Sequence, residues 1–162
     1  MVKKLLVLAV LLLVSGCGVK PTPVVAAGPA PTLRNPADDG SGTDVVLYYV
    51  LNGRLTPVTR PRSLPASVES TLAMLMDGPS ADERASGYTT ELPRRTGAIT
   101  LTHGAPPTIT VPFPVQPLSG TGINQLVCTA FAALVATGGY TTDGTLAVVA
   151  PDVRLPYQTC QA

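Results

Sequence analysis

The chain has 162 residues, 11 basic and 10 acidic side chains, and a formal net charge of +1. That near balance excludes the strongly basic surface that nucleic-acid partners need. Tryptophan is absent and aromatics make up 4% of the chain, which argues against an aromatic-lined sugar-binding surface.

Two lysines, Lys3 and Lys4, precede an uninterrupted apolar run, LLVLAVLLLV, Leu5 to Val14. A positive start followed by a short apolar core reads as an export signal. A spanning helix would need about 20 apolar residues. Small residues, Ser15 and Gly16, then lead directly into Cys17. The stretch VSGCG resembles the bacterial lipoprotein signal, with Val14 where leucine is commoner. The resemblance implies that residues 1–16 are removed and that Cys17 is lipidated, palmitate included, as the first residue of the mature chain. Each buried methylene contributes about 0.8 kcal/mol, so two or three acyl chains hold a protein stably. The expected location is the extracytoplasmic face of the cell membrane. Losing Lys3 and Lys4 leaves 9 basic residues against the 10 acidic ones.

Residues 17–43 read as a tether. Prolines recur, no hydrophobic period is present, and the end is rich in Gly, Ser and Asp. Such a segment reaches roughly 80 Å when extended and averages nearer 30 Å as a coil. DDGSGTD, Asp38 to Asp44, lacks the alternating ligand spacing and closing glutamate of a calcium loop.

Residues 44–162 then form one domain, long enough for a single core. VVLYYVL, Val45 to Leu51, is apolar on both faces, which predicts a strand buried on both sides. Asn52-Gly53 is a hairpin turn signal. Arg54 to Val58 is the returning strand, and Pro57 makes it an edge or a bulged one. Between Pro65 and Pro79, Val68, Leu72, Leu75 and Met76 share one helical face. Pro65 suits a first turn and Gly78 a position just past the end. Residues 80–97 are expected to be a long surface loop. Ala98 to His103 and Thr108 to Phe113 are short alternating strands forming a second hairpin. Gly122 to Gly139 predicts an amphipathic helix with Ile123, Leu126, Val127, Ala130, Phe131 and Leu134 on its face and Cys128 on its flank. Thr145 to Ala150 is a last strand, followed by a tail. The fold class is α/β of the α+β kind: a mixed sheet of about five strands with two helices on one face.

Cys128 and Cys160 form an even pair, which reads as a disulfide in an exported protein. Closing a loop of about 30 residues stabilises by roughly 3–4 kcal/mol on the chain-entropy model. A metal or redox pair would need CxxC spacing or a companion histidine, and neither is there.

The order of elements carries a resemblance. LYYVLNGRLTPVTR, Leu47 to Arg60, is similar to the opening signature of the GerMN domain. LAMLMDGPS, Leu72 to Ser80, resembles its leucine-rich helix closing on Gly-Pro. TELP, Thr90 to Pro93, TITVPF and INQLVCTAF follow in the family's order, although Pro112 stands where Asp or Asn is commoner. GerMN domains occur in sporulation and germination proteins and in actinobacterial envelope lipoproteins. The resemblance implies a fold akin to ring-building motifs, an interaction or assembly role, and in some relatives a sensor-kinase partner. It brings no catalytic residues with it.

The residues themselves show little catalytic chemistry. His103 is the one histidine. No serine sits in GxSxG and no phosphate-binding glycine motif is present. A zinc site of familiar spacing cannot be built, and no cofactor is implied. Glu83 and Glu91 are candidates for a paired acid and base in the 80–97 loop, as in a wall-processing enzyme. Arg60, Arg62, Arg94 and Arg95 are candidates for binding an anionic wall polymer or a partner's acidic patch. The sequence thus favours a non-enzymatic, lipid-anchored module engaging the membrane and an envelope or membrane-protein partner. A wall-processing enzyme, or an inhibitor of one, is the alternative; a small-ligand carrier would need a cavity.

Overall fold

The computed structural model describes residues 44–94, 97–139 and 143–162. The signal at 1–16, Cys17, the tether and Arg95 lie outside the described residues. Among the described residues nine elements follow in order: β1 (Val45–Leu51), β2 (Arg54–Arg60), α1 (Val68–Met76), α2 (Ala81–Ala85), β3 (Thr100–Thr102), β4 (Thr108–Thr110), α3 (Gly120–Ala136), β5 (Thr145–Val149) and β6 (Arg154–Thr159).

The strands form two sheets rather than one of about five strands. β1 and β2 pair antiparallel as a hairpin; β3-β4-β5-β6 form a mixed sheet, with β4 and β5 parallel. Parallel neighbours need a crossover, and α3 supplies it. The architecture is therefore α+β. The hairpin stays separate because the other edge of β1 is already taken. The Tyr48 N–H donates to Thr129 Oγ1 of α3 at 3.0 Å. Val50 exchanges both backbone bonds with Thr89, at 2.9 and 2.8 Å. A helix hydroxyl and an irregular segment stand where the next strand would go.

The Asn52-Gly53 turn forms as expected, with φ of +51° and +75°. Positive φ at both central residues matches the twist of the flanking strands. Tyr48 turns its N–H away from β2, so its partner Pro57 sits at a non-hydrogen-bonded pair. Proline's missing N–H therefore falls on the outer edge of β2, where the ladder loses nothing.

α1 begins later than the proline suggested. Ser67 is the cap, its Oγ accepting the Ser70 N–H at 3.2 Å, and Pro65 lies upstream of it. A hydroxyl that satisfies a free N–H fixes the start more strongly than proline does. The far end closes at Gly78, φ +84°, whose N–H donates to Leu75 O at 3.0 Å. Pro79 has no N–H to complete the usual pair of closing bonds.

α3 is more enclosed than a surface amphipathic helix. All residues from Gln125 to Ala130 are buried, more than a full turn. It packs on α1, β1, β2 and β6. Ile123 and Phe131, expected on the buried face, are only half-buried; Gln125, Thr129 and Ala133 lie inside. The two polar ones are admitted because they are bonded. Gln125 Nε2 donates to Thr90 Oγ1 at 2.9 Å, and its Oε1 accepts the Glu91 N–H at 3.1 Å. Cys128, expected on the flank, is buried as well.

One core joins both sheets, from Leu47 and Tyr49 through Leu72, Leu75 and Leu126 to Ile109 and Val148. Past Ile109 the alternation continues through Val111, Phe113 and Val115, all buried, while Pro112 and Pro114 are exposed. The expected tail is strand β6 from Arg154 to Thr159, antiparallel to β5. Among the described residues no helix is long and apolar enough to cross a membrane.

Candidate functional site

The segment expected to be a long surface loop at 80–97 is stitched to the fold between Ser80 and Glu91. Ser80 and Glu83 form a reciprocal capping box on α2. Ser80 Oγ accepts the Glu83 N–H at 3.2 Å, and Glu83 Oε2 accepts the Ser80 N–H at 2.6 Å. The S-x-x-E spacing was a readable signal for this short helix. Thr89 then pairs with β1, and Thr90 and Glu91 bond Gln125.

Arg60 belongs to that same construction. Its Nε and Nη2 meet the two oxygens of Glu83 at 2.9 and 2.5 Å. Nη2 also donates to Gly78 O at 3.1 Å and to the Tyr49 hydroxyl at 3.2 Å. The Tyr49 hydroxyl in turn donates to Gly78 O at 2.9 Å. These donors converge on the end of α1 that Pro79 leaves open. The side chains of Arg60 and Glu83 are only 23% and 14% exposed. The Arg60 fork holds the Glu83 carboxyl below the usual carboxylate range, despite partial burial. Burial pushes the Tyr49 phenol up to about 12, against the opposing pull of the Arg60 guanidinium. This is a charge-assisted clip joining β1, β2, α1 and α2.

The three described candidate arginines have different surroundings. Arg60 is consumed by the clip. Arg62 is half-buried, with Nη1 2.8 Å from Met74 Sδ. Arg94 is exposed, and Arg95 lies outside the described residues. Nor do Glu83 and Glu91 share one network. Glu83 caps α2 and pairs with Arg60. Glu91 accepts a hydrogen bond from Ser119 Oγ at the start of α3. A general acid needs a raised carboxyl pKa, and Glu83 is shifted the other way. His103 is exposed beyond β3. Among the described residues no group of three or more His, Cys, Asp or Glu is placed to hold a metal.

The disulfide expected between Cys128 and Cys160 is present, joining the middle of α3 to the residue after β6. Beside it, α3 and β6 enclose an open-sided groove of about 240 Å³. Ile123 and Asn124 line one wall; Tyr157, Gln158, Thr159 and Gln161 line the other. No sequence signal pointed here. The β6 wall carries an irregularity: the register with β5 shifts between Leu146 and Val148, giving β6 one extra residue. Tyr157 sits in that bulge at φ +54° and is 68% exposed. Left-handed backbone costs a bulky residue roughly 1–2 kcal/mol, and glycine is usual at such a bulge.

No family model, curated protein or solved structure matches the chain.

Proposed function

We propose that this chain is an exported, lipid-anchored, non-enzymatic interaction or assembly module of the bacterial cell envelope. Its anchor is Cys17, at the extracytoplasmic face of the membrane. The Cys128–Cys160 bond carries the reading, because cystines persist in oxidising compartments and are rare elsewhere. The lipoprotein-like VSGCG stretch supports the same address from the other end of the chain. The GerMN-like order of motifs supports an assembly role and kinship with ring-building folds. A membrane protein, including a sensor kinase, or the wall polymer is the partner this reading favours. The commitment of Glu83 to Arg60 weighs against a wall-processing acid and base.

Metabolic labelling with palmitate, followed by cell fractionation, tests the anchor. Label and membrane association are expected in the native chain and lost in Cys17→Ser. Label persisting in Cys17→Ser, or a native chain found unlabelled in the cytoplasm, would overturn the anchor. Cross-linking in intact membranes then tests the module: a discrete partner adduct supports it.

A further inference from the structure

We infer that the groove between α3 and β6 is a binding site for one ring of an uncharged saccharide chain. The chemistry of its walls leads there. Asn124, Gln158 and Gln161 carry carboxamides, Thr159 a hydroxyl, and Tyr157 an exposed ring. A carboxamide both donates and accepts, and so does a sugar hydroxyl; Gln158 Nε2 already donates one bond to Pro156 O at 2.9 Å. Most of these side chains are polar and only Ile123 and Tyr157 are large and apolar or aromatic, so the lining suits a ligand rich in hydroxyls better than an apolar one. Among the described residues no charged side chain lines the groove.

Size and surroundings narrow the ligand. The volume of about 240 Å³ lies below the ~300 Å³ at which drug-sized pockets begin. One ring fits, with the rest of a chain lying over the open side. An anion is disfavoured, since the start of α3 is already capped by Ser119, with the Glu91 carboxylate bonded to that hydroxyl. A peptide adding as a strand is disfavoured too. Pro156 has no N–H and the adjoining bulge breaks the edge of β6, two features that block edge pairing. Recognition must come from side chains, and the strained Tyr157 is the most prominent of them. Few aromatics preclude a broad stacking platform, but a single ring flanked by carboxamides needs only one.

The inference deepens the interaction-module reading and relies on it only for the source of the saccharide. Titration of the purified chain is therefore independent of whether Cys17 is lipidated. The full chain, in a detergent without a sugar headgroup, is titrated with tetra-N-acetylchitotetraose and with maltohexaose, followed by amide chemical shifts. At least one is expected to shift Ile123, Asn124 and residues 157–161 together. The affinity should hold as salt is raised, since no charge is paired. Tyr157→Gly should weaken binding about tenfold, a stacking-scale loss, while raising the melting temperature. Asn124→Ala should weaken binding without touching the bulge. Silence with both sugars would overturn the proposal. So would shifts insensitive to both substitutions, or stronger shifts of the same residues by a neutral Pro/Ala peptide.

Discussion

The Arg60 clip and the α3–β6 groove are two polar clusters with opposite fates. In the first, charged groups turn inward: one guanidinium, one carboxylate, a phenol and a backbone carbonyl satisfy each other almost completely. In the second, uncharged groups face outward around an exposed ring on a strained backbone. In the first cluster charge closes the fold; in the second the lining side chains carry no charge, and of them Gln158 Nε2 donates to Pro156 O at 2.9 Å.

The comparison breaks most severely at the disulfide, which belongs to the groove and not to the clip. Replacing Cys128 and Cys160 together by serine should cost about 3–4 kcal/mol, read by urea unfolding, and should erase the groove before the clip in amide exchange. An unchanged midpoint would show that the bond does not constrain the domain. Arg60→Met should come next, at roughly 2–3 kcal/mol, because the Glu83 carboxylate and Gly78 carbonyl lose a charged donor. Groove shifts should be unmoved by it, and a coupled change would join the two clusters. Smaller again is Tyr157→Gly, expected to stabilise by about 1 kcal/mol through relief of the left-handed residue. A loss of stability there would mean that the ring packs rather than waits. Ser80→Ala should cost about 1 kcal/mol as an ordinary cap loss.

Within the clip, titration acts with opposite signs at the carboxylate and at the phenol. The folded-state pKa of Glu83 lies below its ordinary 4.5, so its stabilisation is complete above that value and is lost as pH falls through the folded pKa. Tyr49 is shifted upward from 10.0 to about 12, so it stabilises the neutral form below 10 and loses that contribution as pH rises towards 12. Stability measured against pH should fall at both ends, and Arg60→Met should flatten the acid arm. An acid arm that Arg60→Met left unchanged would assign it to other carboxylates.

What the sequence disclosed follows the range of the forces involved. Asn52-Gly53 was legible because turn dihedrals are set by two residues. The apolar face of α1 was legible because Val68, Leu72, Leu75 and Met76 recur with the helical period. The Cys128–Cys160 bond followed from parity and from the compartment expected of an export signal. By contrast, β6 reads RLPYQT, with proline inside and a tyrosine in a glycine conformation, so no alternation announces it. Helix α2 is five residues long, too short for a period; only its capping box marked it. The Thr129 hydroxyl that seals β1 sits in a helix, and its partner strand is 81 residues away in the chain. The groove inherits all of this, since one wall is the strand that local pattern could not reveal.

The Cys128–Cys160 bond also has a mechanical consequence. Under the proposed function, a lipid anchor would load the domain through the residues before β1, while a ligand held in the groove would load β6 and the start of α3. Tension between those two points cannot peel β6 away as it could an ordinary edge strand, because a covalent bond returns it to α3 at the residue after its end. The force passes instead into the most enclosed helix of the molecule, which bonds β1 directly through Thr129 and Tyr48. The disulfide thereby keeps β6 on α3 under a load applied between the residues before β1 and the groove.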